Sequence, residues 1–147
     1  MYSAILISHI VISILLILLS LYIVIRSFFG VIGKVSFSKF QDIQLSIVAV
    51  IFLYLELILG ILLYAIYINK LETLITQANA NAYFSARFWA DEHAILMFFA
   101  IIFGHLGLVY AKNLSEDKQK FQKNLLYFSL SSVLIFISIT MNMLRNA

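Results

Sequence analysis

The chain has 147 residues, of which 63% are hydrophobic and 12% charged, with a formal net charge of +3 and neither cysteine nor proline. A typical soluble domain is roughly 25% charged, so this balance points to a single polytopic membrane domain, residues 1–147. The missing cysteines exclude disulfides, thiolate metal sites and iron–sulfur clusters, and the basic residues lie in short connections rather than on the continuous face that nucleic acid requires.

Four stretches reach the roughly 20 apolar residues that a bilayer crossing takes: about 4–25, 44–68, 88–111 and 124–144. The first has no basic residue ahead of its apolar run and no small-residue cleavage pattern, so it is expected to be retained rather than cut as a signal peptide. Short connections make successive helices antiparallel neighbours. The expected fold is therefore all-α, a four-transmembrane up-down-up-down bundle with the first and third helices parallel on its diagonal.

In the first connection, Ser38-Lys39-Phe40-Gln41 fits a capping box opening the second helix. The second connection, Asn69 to Arg87, repeats Leu71, Leu74, Ile75 and Ala78 at helical spacing, which suggests a short interfacial helix. Ser115-Glu116-Asp117 in the third suits a helix start, with acids at its positive end. Arg26, Lys34, Lys39, Lys112, Lys118, Lys120 and Lys123 fall on one side, and only Lys70, Arg87 and Arg145 on the other. The basic excess marks the cytoplasmic side and puts both termini outside the cytoplasm.

Two histidines stand out against this apolar background. His9 and His93 each lie about five residues, roughly 8 Å, inside their helices, on the same predicted level of two parallel spans. Imidazole in a membrane needs polar partners. A shared ligand held between the two rings is one reading, with iron porphyrin the usual occupant. Helix capping or a bond to a neighbouring carbonyl is the other. Steps of seven, eleven and fourteen residues from His93 bring Ala100, Gly104 and Gly107 near its face. These small residues suit either a porphyrin edge, to which Ala100 and Gly104 would contribute, or close helix packing. Arg87, beside the third helix's outer end, is a candidate propionate partner.

His105 lies about 18 Å beyond His93 and roughly 120° around the helix, so it cannot bind the same metal. A structural bond across the bundle, a quinone or a partner subunit would each use it. Glu56, in mid-span, is costly unless neutral or paired. It suits a proton relay or quinone contact, or a structural bond to His105 or a fourth-helix serine. Met141 and Met143 approach the level of His93, which leaves His/Met haem ligation as a minor alternative. A non-haem metal held by His9, His93 and Asp91 or Glu92 is a third. Nucleotide-binding and hydrolytic motifs are absent.

The run Arg87-Phe88-Trp89-Ala90-Asp91-Glu92-His93-Ala94-Ile95-Leu96-Met97 resembles one in small bacterial four-helix membrane proteins described as cytochrome b-like. The Leu57–Tyr64 run and a histidine near the first-helix start resemble that group too. In the group the first-helix histidine is soon followed by a basic and an aromatic residue, whereas here Ile10-Val11-Ile12-Ser13-Ile14 follows. The resemblance implies one haem b per chain on His9 and His93 and adds no substrate. The expectation is electron transfer between a quinol or redox partner and another protein, with lipid around the bundle and partner subunits or further copies possible. The alternative is a non-catalytic membrane subunit or scaffold with structural histidines.

Overall fold

The computed structural model describes residues 2–76 and 88–145, with side chains described for 2–66, 89 and 91–141. Every regular element among these residues is helical. We number the four long helices α1 (Tyr2–Val31), α2 (Leu45–Thr76), α3 (His93–Asn113) and α4 (Asp117–Arg145). All four are long and apolar enough to span a membrane. Their outward faces are apolar as well: Ile7, Ile14, Leu18 and Ile25 on α1 and Ile51, Ile58 and Ile61 on α2 are exposed. Helices apolar on every side suit lipid, not water.

α2 and α3 each open on a π-helical turn, Lys39–Gln44 and Phe88–Glu92. The Ser38 hydroxyl accepts the Gln41 N–H at 3.4 Å, which is one half of the expected capping box. The other half comes from Asp42, whose Oδ2 accepts the Ser38 N–H at 2.6 Å. Gln41 was the expected partner, but the wider π turn brings Asp42 under the helix start instead. The same carboxylate takes two hydrogen bonds from Arg26, at 2.7 and 3.0 Å, so the α1 end and the α2 start are clamped together. At the end of α1 the chain turns through Gly33, at φ +76°. The N–H groups of Gly33 and Lys34 return to the carbonyls of Gly30 and Phe29 and satisfy the last turn.

The second connection differs from expectation. α2 continues without a break to Thr76, so among the described residues Leu71, Leu74 and Ile75 belong to α2 and not to a separate helix. No glycine or proline falls between Gly60 and Thr76 to stop it. Ala78 lies outside the described residues.

α1 packs on α2 and α4, and α3 packs on the same two helices, which leaves α1 and α3 on the diagonal. Along the antiparallel α1–α4 seam, Gly30 lies directly against the Phe121 ring. Carried three residues on from that contact, the antiparallel register brings Ser27 to the level of Asn124, and steps of seven from there, about 10.5 Å each, bring Ser20 to the level of Ser131 and Ser13 to that of Ser138. Ser20, Ser27, Asn124, Ser131 and Ser138 are all buried. The half of the bundle near Asp42 is close-packed, with Ala49, Ala111, Phe121 and Phe128 at or below 1% exposure. The opposite half, around His9 and His93, is hollow.

Candidate functional site

The hollow is a cavity of about 450 Å³, within the range of small-molecule and cofactor sites. α1 supplies His9, Ser13 and Leu16 to its wall, and α2 supplies Leu53, Glu56 and Gly60. Trp89, His93, Met97 and Ile101 line it from the α3 side, and Ile135 and Ser138 from α4. The wall is chiefly apolar, and its polar groups converge on the two imidazoles.

The rings of His9 and His93 meet across the diagonal with centroids 6.2 Å apart and planes at 78°. The sequence therefore brings together the pair it singled out. Each ring is gripped at Nδ1. His93 Nδ1 is 2.7 Å from Ser138 Oγ, on α4. His9 Nδ1 is 2.6 Å from Glu56 Oε2, on α2, and the same oxygen accepts the Ser13 hydroxyl at 3.1 Å. The His9–Glu56 approach is within ion-pair distance but bent away from a linear N–H···O bond, so its attraction is electrostatic before it is directional. Both groups are shielded, with side chains 16% and 10% exposed. Trp89 packs edge-on to His93 at 4.9 Å between centroids, as their i,i+4 spacing implies.

The fate of the other candidates is mixed. Arg87 lies outside the described residues. Ala100 and Gly104 do not line the cavity. The Ala100 carbonyl accepts the Ser131 hydroxyl at 2.8 Å, and Gly104 lies against Leu53, where a Cβ would come within 2.5 Å of its Cδ1. Gly107 packs on Phe128 in the same way. These small residues let α3 approach its neighbours, which is the helix-packing option for that stripe. Glu56 bonds neither to His105 nor to a fourth-helix serine; its partners are His9 and Ser13 of α1, because α2 presents it towards the diagonal. Its second oxygen, Oε1, is buried without a hydrogen-bond partner among the described residues. His105 faces outward and meets the Tyr54 hydroxyl of α2 at 3.2 Å. Met141 does not line the cavity, and the Met143 side chain lies outside the described ones.

Ser13 and Ser138 carry weight that their own sequence neighbourhoods do not advertise. Their signal was the seven-residue recurrence of Ser13, Ser20 and Ser27 and of Asn124, Ser131 and Ser138, although Ser13 bonds to the second helix and Ser131 and Ser138 to the third.

Among the described residues, no group of three or more metal-ligating side chains converges. A zinc ion seeks three or four protein ligands. A donor set of two imidazoles instead suits a metal whose remaining positions are filled by a macrocycle. The 6.2 Å between centroids is the ordinary spacing of two rings in edge contact. Fold and site together define an all-helical, four-span membrane bundle with a histidine-lined cavity across its diagonal. Compared with known protein families, curated proteins and solved structures, the chain finds no match.

Proposed function

We infer that this protein binds one haem b in the diagonal cavity, with His9 and His93 as axial ligands, and that it carries electrons between a quinol or other redox donor and a second protein. The observation that carries this reading is the pair of imidazoles, each held at Nδ1 by a polar side chain from another helix. The Ser138 hydrogen bond orients the His93 ring, and with Glu56 beside His9 Nδ1, Nε2 is the nitrogen through which each ring would ligate. Haem, when bound, supplies reversible one-electron chemistry. The chain's part is to fix the two ligands, exclude water with Leu16, Met97, Ile101 and Ile135, and place the Glu56 charge beside one ligand. The positive-inside bias supports an orientation with the cavity near the non-cytoplasmic face and both termini on that side, and the cytochrome b-like resemblance supports a bacterial inner membrane.

The deciding test is a dithionite-reduced minus oxidised absorption spectrum of the purified, detergent-solubilised protein, with haem quantified per chain. A sharp reduced α-band at one haem per chain is expected. A featureless spectrum, after expression with ample haem, overturns the reading and leaves a colourless membrane scaffold with structural histidines.

A further inference from the structure

Tyr54 and His105 form a polar island where lipid is expected. The Tyr54 hydroxyl is 3.2 Å from His105 Nδ1, and the rings stand nearly perpendicular, at 80°. Both residues are exposed, and both lie inside membrane-spanning segments. His105 is about 12 Å from the Asn113 end of α3 and about 18 Å from its start, which is deep within a hydrocarbon layer of about 30 Å. Its surroundings on the two helices are apolar and open: Ile51, Ile58, Phe98 and Ile102 are all exposed. A hydroxyl and an imidazole facing hydrocarbon are costly. Among the described residues, the ring makes no other hydrogen bond. Something with a polar atom on an otherwise apolar body is needed to meet it.

We propose that Tyr54 and His105 bind a ring oxygen of a membrane-dissolved quinone or quinol on the lipid-facing surface of α2 and α3. Three features select this occupant. The island is a single polar point within an apolar surface, which matches a flat apolar ring bearing a carbonyl or hydroxyl. The dyad also serves both redox forms without changing its charge. When the Tyr54 hydroxyl donates to Nδ1, Nε2–H is a donor for a quinone carbonyl. When Nδ1–H donates to the tyrosine oxygen, Nε2 accepts from a quinol hydroxyl. The third feature is position. Leu53, next to Tyr54, and Ile101, one turn before His105, line the histidine cavity, and Gly104 packs directly on Leu53. One layer of side chains thus separates the island from the near end of the cavity, whose histidine ligands lie about 18 Å further along α3. Only the purpose of the site rests on the cytochrome reading; binding is a separate property.

The test is calorimetric titration of the detergent-solubilised full chain with decylubiquinone, each run corrected by a protein-free micelle blank. One saturable site per chain is expected, weakened about tenfold by Tyr54→Phe and at least as much by His105→Leu, since each removes one member of a single hydrogen-bonded unit. The double variant loses no more than His105→Leu alone. Far-UV circular dichroism and melting of each variant report folding, and Tyr54→Phe, which removes one oxygen, guards against a misfolded leucine variant. The proposal fails if wild type shows no saturable binding, or if both variants bind as wild type does. It also fails if His105→Leu converts an oligomer to monomers with quinone affinity unchanged, which would assign this face to a second copy. Absorption of the same samples separates the two readings. A red protein that binds no quinone overturns this site alone, whereas a colourless one that binds it overturns the cytochrome alone.

Discussion

His9 and His93 share a cavity but not a partner. One is held by a carboxylate and the other by a hydroxyl, so the two halves of the site contribute unequally. Replacing either ring with alanine, His9→Ala or His93→Ala, is expected to abolish low-spin haem absorption while leaving membrane insertion intact. Unchanged spectra in both variants would refute the ligand assignment. The anchors give a graded version of the same experiment. Glu56→Gln and Ser138→Ala keep both ligands, and loss of an outer partner of this kind typically costs about 10–100-fold in metal affinity. Haem titration of each apo-variant measures that loss directly. Glu56→Gln also removes a negative charge beside the oxidised, more positive form of the centre, so its midpoint potential should rise, whereas Ser138→Ala removes no charge and should move it less. Equal potentials in the two variants would contradict the role given to Glu56. The histidine pair was legible in the sequence because depth along a helix is counted in residues at a fixed rise. The partners of Glu56 were not, because they depend on helix rotation. That angle is set by cross-bundle packing and is poorly marked in a span that is apolar all round.

Helix contacts depend on small residues at chosen points rather than on a hydrophobic seam. Lipid is as apolar as leucine, so close approach and hydrogen bonds must hold the helices together. Gly30 against Phe121 is the tightest such point on the α1–α4 seam, and Phe121 is 1% exposed, with little room to move. Gly30→Ala should therefore destabilise the bundle by about 1–3 kcal/mol through overpacking. Thermal unfolding in detergent measures this, and Phe121→Leu in the same chain should recover part of the loss. At the foot of α1, Asp42→Ala should cost about 3–5 kcal/mol, because it strands the Arg26 guanidinium and uncaps α2 together. The stripe Ala100, Gly104 and Gly107 shows why the sequence misleads at this scale. A lipid-embedded helix uses the same small residues to admit a ligand or to admit a neighbour, and only the opposing Leu53 and Phe128 decide between them. The run-on of α2 past Asn69 has a similar cause. Apolar periodicity continues through the bilayer boundary, and no residue there stops a helix.

The whole molecule is built unevenly, and this gives its most general prediction. The half around Asp42, Asn124 and Phe128 is filled, whereas the half around the two histidines holds an open-sided cavity of about 450 Å³, lined in part by the exposed Ile10, Ile14, Ile61 and Tyr64. Such a void forgoes packing contacts, and in a bundle with no hydrophobic drive between its helices that loss is not easily recovered elsewhere. Glu56 Oε1 is buried there without a hydrogen-bond partner among the described residues, at a cost of about 1–3 kcal/mol for a group of this kind, as are both amide atoms of Asn124 in the filled half. A bundle that keeps such a void is expected to be completed by what enters it. Apo-protein should therefore unfold at a lower temperature than haem-loaded protein, with a gain of about 4 kcal/mol when free haem is a thousand times its Kd. The difference should also be local. Amide hydrogen exchange in apo-protein should be fast along Ser13–Leu16, Glu56–Gly60 and His93–Met97 and slow along Ser27–Gly30 and Phe121–Phe128, and haem should slow the first group alone. Uniform exchange in the apo-protein, or no shift in unfolding temperature on adding haem, would mean that the hollow half stands on its own and that the cavity is not a cofactor site.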